Sequence, residues 1–430
     1  MTGRNASYRM DATERNDHMR IAPLTGMNDY LPFESELREY LQRKICDTYE
    51  NSGFQRIFTP AIEDIENLDK SDGGDNLNLI FKIMKRGDKL KKAIDAGDIK
   101  SIPDMGLRYD LTLPLSRYYA NNQDKLPVPF KVIQIDKVYR AERPQKGRLR
   151  EFMQCDIDIL GSDSYTCEIE LIHTTAKALL NIGLDHFKIK VNDRRILREI
   201  LLSAGFKEEE LDTVCISFDK LSKIGAEGVK KELQEKNCDE NVIEKFMQLL
   251  SDVPFTLEQV GDICGHTEYI DNLNKIIEIS NRLSDGKYAV EYDMTLVRGQ
   301  GYYTGTVFEI ESLDFGSSIA GGGRYDNLIG KFLKQEVPAV GFSIGFERIF
   351  SILKERNDIR EGHLLKIAVM YEEDEIEEAV QKAEEFRKQY QTALFIKPKK
   401  MGKFLNRLEE QGFDGFFVLG RDEEVRLFKE

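Results

Sequence analysis

No apolar run in this chain approaches the ~20 residues that a membrane-crossing helix needs, and residues 1–20 contain no apolar signal core. The sequence therefore offers no candidate membrane helix, and residues 1–20 are expected to form a flexible polar tail. Cysteine is sparse. Cys46, Cys155, Cys167, Cys215, Cys238 and Cys264 are scattered with no C-x-x-C pair, which argues against a disulfide framework or a zinc cluster and for a reducing cytoplasm. Histidine is sparser still. His18, His173, His186, His266 and His363 all lie outside the motif stretches described below. A serine or cysteine nucleophile with a histidine base has little support, and no metal-ligand spacing is present. Positive charge is also short, with 62 Lys and Arg against 76 Asp and Glu and a net charge of -14. A general nucleic-acid coat protein is usually basic. Any contact with nucleic acid must therefore run through local patches and be sensitive to salt.

The chain that remains has 430 residues, 41% hydrophobic and 32% charged, enough for two or three domains of ordinary composition. Its most informative stretch is Val138 to Leu160. Two alternating segments flank the turn-rich Pro144 to Gly147 and predict antiparallel strands joined by a loop. On the second strand Phe152, Gln154, Asp156 and Asp158 share one face, and Met153, Cys155, Ile157 and Ile159 the other. Arg140, Arg143, Lys146, Arg148 and Arg150 crowd the loop. Forked cations grip phosphate bidentately, so the hairpin is either a site for a polar molecule beside a polyphosphate or a charged, solvated tip.

Earlier in the chain, an amphipathic helix is expected from Glu34 to Ser52, with Leu37, Leu41, Ile45 and Tyr49 in one stripe. A Pro-ended strand, Phe54 to Pro60, follows and suits a sheet edge. Leu79 to Met84 reads as a strand, and Asp88 to Lys100 as charged and exposed. Leu107 to Ala120 reads as a strand passing into a helix near Pro114. Asp110 and Thr112 there are either neighbours on one strand face or helix-capping residues.

Beyond the hairpin, a helix over Cys167 to Ile182 and a strand over Phe187 to Val191 precede a helix-rich, mixed-charge region, residues 193–274. The sheet returns at Tyr288. In the run from Arg298 to Ile310, Gly299, Gly301 and Gly305 suggest bulges or close approach of another molecule, and strand alternation sends Tyr302 and Tyr303 to opposite sides. Ala320 to Tyr325 holds three glycines that either let a flat ligand lie on bare backbone or make a turn. Ala339 to Leu353 reads as a strand, a break at Gly345 and a helix. Arg348 falls in that helix's first turn, against the dipole, where it is either held by a nearby anion or an exposed arginine of no consequence.

The domains follow from this pattern: tail 1–20, an antiparallel-sheet domain over 21–192 resumed at 275–355, a helical insertion at 193–274, a linker at 356–365, and a small α/β domain with a parallel sheet at 366–430. Lys397, Lys399, Lys400 and Lys403 give the last domain one basic edge, either a solvated face or a nucleic-acid contact. The arginines Arg140, Arg148, Arg298, Arg324 and Arg348, the carboxylates Asp110 and Asp158, and the glycine-backed strands suit phosphate-centred chemistry run by positioning and charge stabilisation.

From Ile21 onward the chain resembles the class II aminoacyl-tRNA synthetases and, within them, the histidyl-tRNA synthetases. The helix and Pro60 strand resemble class motif 1, Tyr139 to Phe152 motif 2, and Gly341 to Arg348 motif 3. LVRGQGYYTG at Leu296 to Gly305 and GGGRYD at Gly321 to Asp326 resemble the family's two histidine signatures. Gln300-Gly301 stands where the first signature usually has leucine and an acidic residue. Asp158 is one methylene shorter than the glutamate of many relatives.

The resemblance implies an α+β class II catalytic domain with a helical insertion and an anticodon-binding-like C-terminal domain. It implies an enzyme that joins histidine to tRNA(His) through histidyl-adenylate, using ATP with Mg2+ in a cytoplasmic homodimer without a membrane. Arg298 and Arg140 would be catalytic. Asp110, Thr112, Gln154, Asp158, Arg298, Tyr302 and Tyr303 would hold histidine. Arg140, Glu142, Arg148, Phe152 and Arg348 would hold ATP. The alternative is a catalytically silent paralogue that regulates ATP phosphoribosyltransferase. Such proteins typically erode the signatures and lack the C-terminal domain, whereas this chain keeps Arg140, Arg298, GGGRYD and the α/β tail.

Overall fold

The computed structural model describes residues 21–69, 78–143, 148–218, 220–251, 256–265, 267–298, 301–356 and 364–428. The expected tail, the Pro144 to Gly147 turn, Gly299-Gln300 and residues 357–363 of the linker lie outside them. Helix α1 (Pro32–Asn51) begins where proline fits a helix's first turn and the Glu34 carboxylate accepts the Leu31 N–H at 2.7 Å. It stops at Gly53, φ 85°. Leu41, Ile45 and Tyr49 of its stripe are fully buried.

Next come β1 (Gln55–Arg56), β2 (Ile62–Asp64), α2 (Ile65–Asp69), β3 (Lys82–Met84), α3 (Gly87–Asp95), β4 (Pro103–Leu107) and α4 (Thr112–Asn122). The Phe54 to Pro60 strand is shorter than expected, since only Gln55 and Arg56 pair, in parallel with Val132 and Ile133. The charged stretch after Asp88 is a helix with Ala93 buried under it.

The expected hairpin is β5 (Phe130–Tyr139) and β6 (Glu151–Leu160), antiparallel from Phe130↔Leu160 to Tyr139↔Glu151. α5 (Thr166–Asn181) and β7 (Phe187–Asp193) follow. Asp193 then caps α6 (Arg194–Ala204) by accepting the Arg195 N–H at 2.9 Å. The helical region continues through α7 (Leu211–Phe218), α8 (Leu221–Glu235), α9 (Glu240–Ser251), α10 (Leu257–Cys264) and α11 (Glu268–Leu283). Residue 274 lies inside α11, so the boundary expected after it cuts a continuous helix. The helices give way to sheet only at β8 (Ala289–Tyr292).

β9 (Thr306–Ser312), β10 (Ser317–Arg324), β11 (Ala339–Gly345) and α12 (Phe346–Arg356) complete the large sheet. Its order is β1-β5-β6-β11-β10-β9-β7-β8, antiparallel within and parallel at the edge pairs β1/β5 and β7/β8. β2, β4 and β3 form a small antiparallel sheet. The C-terminal unit is β12 (Lys366–Tyr371), α13 (Ile376–Phe386), β13 (Gln391–Ile396), α14 (Met401–Glu410) and β14 (Gly415–Val418), the strands parallel as expected, with a short antiparallel β15 (Arg426–Leu427) added.

Met153, Cys155, Ile157 and Ile159 of β6 pack with α1 and α5 in the main core. The opposite face of β6 is therefore the one left to meet a ligand.

Candidate active site

That opposite face borders a cleft of about 800 Å3 lined by both shoulders of the hairpin and by β9, β10 and the start of α12. Arg140, Glu142, Arg148, Phe152, Gln154, Arg298 and Arg348 all line it. Arg140 leaves the end of β5 with its N–H donating to the Arg150 carbonyl at 2.9 Å. Its Nε donates to the Tyr109 carbonyl at 3.0 Å, and its guanidinium carbon lies 5.1 Å from the centre of the Phe152 ring. Across the loop, Arg148 Nη1 is 3.4 Å from Glu142 Oε2.

Among the described residues no carboxylate forms an ion pair with Arg348, although Glu309 acts on it through space. Arg348 donates to the Ser318 carbonyl, and burial, then Arg148, with Arg298 adding, push its pKa below the ordinary arginine value. Cations pressed together in one cleft favour an anionic ligand. Arg298 sits in the left-handed region at φ 56°, where a non-glycine residue is strained and often functional. Its Nη1 donates to Glu309 Oε2 at 3.0 Å, and its Nε is buried with no hydrogen-bond partner.

The glycine run is neither a turn nor an open floor for a flat ligand. It lies in β10, mid-sheet. A Cβ on Gly321 would collide with the Arg298 guanidinium, one on Gly322 with the Gly341 carbonyl, and one on Gly323 with the Thr306 carbonyl and the Tyr303 ring. The glycines let Arg298 and Tyr303 lie flat against the sheet.

Behind the cleft are carboxylates. Asp110 follows β4 and caps α4, its Oδ1 accepting the Leu113 N–H at 3.2 Å. Of its two readings, capping is the one realised. Asp110 and Thr112 do not share a strand face, because β4 ends at Leu107 and Thr112 already begins α4. Asp110 Oδ2 is buried without a partner. Burial raises its pKa to about 6 against the opposing pull of the Leu113 N–H and Arg140. Asp158 is 3% exposed and accepts the Tyr325 hydroxyl at 2.7 Å. Burial brings it to about 7, with Tyr325 lowering and Asp110 raising it. Asp156, between them on β6, is pushed well above the carboxylate range by burial and then by Asp158.

Asp110, Thr112, Asp158, Tyr302 and Tyr303 are buried and do not line the cleft itself. Tyr302 and Tyr303 do not diverge as strand neighbours would. They precede β9, outside any strand, and their ring centres are 4.9 Å apart in an edge contact.

Arg324 leaves the candidate set. Its Nε and Nη2 donate to the Glu168 carboxylate at 2.7 and 2.8 Å in a buried fork, so it ties β10 to α5. Sequence reasoning also missed Tyr325, Glu309 and Ser343, and it gave Asp156 no role. The alternation that places Asp156 between Gln154 and Asp158 was the available signal. Glu309 and Tyr325 become visible only through their contacts with Arg298 and Asp158.

Comparison with known proteins bears on this geometry. The sequence profile of the family described as Histidyl-tRNA synthetase matches residues 26–349. The chain is 45% identical to the histidine--tRNA ligase of Leifsonia xyli subsp. xyli over 347 residues, covering 78% of this chain and 80% of that one. It is 33% identical to the histidine--tRNA ligase of Cytophaga hutchinsonii over 417 residues, covering 93% and 92%. Among solved structures, the histidyl-tRNA synthetase from Nostoc sp. PCC 7120 superposes with a TM-score of 0.76 at 25% identity, covering 94% of this chain and 93% of that one. An ATP phosphoribosyltransferase regulatory subunit/histidyl-tRNA synthetase from Bacillus halodurans shares the fold, with a TM-score of 0.74 at 21% identity.

Proposed function

The chain belongs to the histidyl-tRNA synthetase family, an enzyme family that charges tRNA with histidine, and from that premise we propose that the arginine-walled cleft is where histidine is activated. The histidine carboxylate attacks the α-phosphorus of ATP, the bond to the leaving pyrophosphate breaks, and histidyl-adenylate forms. A hydroxyl of the tRNA's 3′-terminal adenosine then attacks the histidyl carbonyl and releases AMP.

The observation that carries this assignment is the meeting of two features. Arg148 and Arg298 both repel Arg348 in a cleft, and Arg298 Nε, Gln154 Oε1 and Asp110 Oδ2 are buried beside it without partners. Buried polar atoms are rarely left unpaired, and a cluster of them marks a site for a polar ligand. Arg140 is assigned to the α-phosphate and the histidine carboxylate. Arg298 is assigned to the charge that builds at the α-phosphate during bond exchange, a role worth several kcal/mol. Glu142, Arg148, Phe152 and Arg348 hold ATP, with the Phe152 face available to adenine. Gln154 and Asp110 take the α-amino group. Asp158, with Tyr303, meets the imidazole. A site that pairs the imidazole nitrogens rejects side chains without them, because its own groups would stay unpaired.

Magnesium fits this donor set. It keeps several waters and uses one or two carboxylates with the substrate phosphates. Glu142 and Glu309 are carboxylates that line the cleft among the arginines. The ion would neutralise phosphate charge.

The homodimer expectation is supported by apolar side chains left exposed around α1 and the edge strand, Leu31, Phe33, Phe58 and Ile62. Six free thiols fit a reducing cytoplasm, and among the described residues no helix is long and apolar enough to cross a membrane. The regulatory-paralogue alternative gains nothing from a shared fold.

Histidine-dependent exchange of pyrophosphate into ATP, run against the other amino acids, tests the reading. Exchange with histidine alone is expected. Its absence in folded protein would overturn the assignment.

A further inference from the structure

Asp156 has so far been given no task. It is 4% exposed, and on β6 it shares a face with Gln154 and Asp158, opposite Gln134 of β5 and Ser343 of β11. Its Oδ1 is buried with no hydrogen-bond partner. The neighbours that might serve it are committed elsewhere. Gln134 Nε2 donates to the Leu111 carbonyl at 2.9 Å, and its Oε1 accepts the Thr59 hydroxyl at 3.1 Å. The Ser343 hydroxyl accepts from Gln154 Nε2 at 3.1 Å and gives Asp156 a single bond. Among the described residues no salt bridge reaches Asp156, although Arg140 is near enough to act on it through space.

Two more buried acceptors lack donors, Gln154 Oε1 next on the same strand face and Asp110 Oδ2. Asp110 is close enough to Asp156 for their charges to interact. Three orphan acceptor oxygens on one patch match one chemical group, an alkylammonium with three N–H donors and no acceptor. Thr112, which the sequence nominates for an amino group, is engaged with the Tyr302 hydroxyl, which also reaches the Asp110 carboxyl and leaves its Oδ2 unpaired. Asp158 is distinguished from Asp156 by its bond from Tyr325 and by Gly341 directly against it, where a Cβ would collide with its Oδ1.

We propose that Asp156 is a substrate-binding residue, completing with Asp110 and Gln154 a three-acceptor socket for the α-ammonium of the amino acid. The inference rests on the reading of the cleft as an amino-acid-activating site.

The test compares two inhibitors of histidine-dependent exchange in the full-length enzyme. Histidinol keeps the ammonium and lacks the carboxylate. Imidazole-4-propionate keeps the carboxylate and imidazole and lacks the ammonium. In Asp156→Asn and Asp156→Ala, the histidine KM and the histidinol Ki should rise roughly 10- to 100-fold, the loss of one hydrogen bond to a charged group. The imidazole-4-propionate Ki should stay at its wild-type value. Because the readout is the ratio of the two constants within one variant, partial misfolding does not change it. An unchanged ratio in both variants overturns the role of Asp156. A wild-type enzyme without histidine-dependent exchange instead overturns the assignment of the site.

Discussion

The carboxylate next to Arg348 offers a measurement of how the fold holds the cleft. Glu347 Oε2 accepts Arg38 Nη1 at 2.6 Å and the Tyr30 hydroxyl at 3.2 Å, and Oε1 accepts Arg38 Nη2 at 2.7 Å and the Met153 N–H at 3.2 Å. The two side chains are only 9% and 11% exposed. The Arg38 guanidinium also lies 4.0, 4.8 and 5.0 Å from the rings of Tyr30, Phe346 and Phe350. One ion pair thus binds α1 to α12 and to the β6 backbone between Phe152 and Gln154.

Arg38→Met leaves the Glu347 charge buried and unpaired, which costs about 3–5 kcal/mol. Glu347→Gln keeps the shape and the acceptor for Met153 but strands the Arg38 charge. In the double variant no charge is stranded, so its loss should fall short of the sum of the singles by more than ~1 kcal/mol. Denaturant unfolding of the four proteins gives that coupling. Exchange kinetics should show a raised KM for ATP, because Arg348 and Phe152 are the cleft residues on either side of the pair. Additive losses, or an ATP KM unchanged in a destabilised Arg38→Met, would refute the claim that this pair positions the ATP side of the site.

Adjacent glycines should respond differently to the same methyl group. Gly321→Ala meets a side chain, Arg298, and should lower the exchange rate while leaving the unfolding midpoint nearly unchanged. Gly322→Ala meets the Gly341 backbone and should destabilise the sheet before any kinetic effect can be read. Arg324→Ala breaks the buried fork with Glu168 and should cost about 3–5 kcal/mol in unfolding; a loss of activity in an equally stable variant would return Arg324 to the chemistry. For pH, Asp158 and Asp110 have folded pKa values raised to about 7 and about 6 from 3.8. The unfolded chain releases these protons first. The stability these two groups contribute to the free enzyme therefore falls as pH rises from the ordinary carboxylate range to about 7 and levels off above it. Thermal unfolding of Asp158→Asn should show a shallower fall over that window, and an identical slope would remove Asp158 as a cause.

The sequence by itself determined the elements and named most of the residues of the candidate site. Alternation in Glu151–Leu160 had to bury Met153, Cys155, Ile157 and Ile159 and turn Gln154, Asp156 and Asp158 the other way, since a strand's side chains have a period of two. Pro32, Gly53 and Gly345 punctuate the chain where helices start or end. Tertiary structure decided what local pattern leaves open. Asp110 is a capping residue because β4 stops at Leu107. Arg324 is structural because α5 brings Glu168 against it. Tyr302 and Tyr303 pack together because their segment is not extended. The glycines of β10 serve side chains from elsewhere in the chain, Arg298 and Tyr303. The division has one physical reason. Periodicity and turn chemistry are set by neighbours in sequence, but whether a charged group is spent on the fold or left free for a ligand depends on partners brought in from distant strands and helices, and those are fixed only when the sheet has formed.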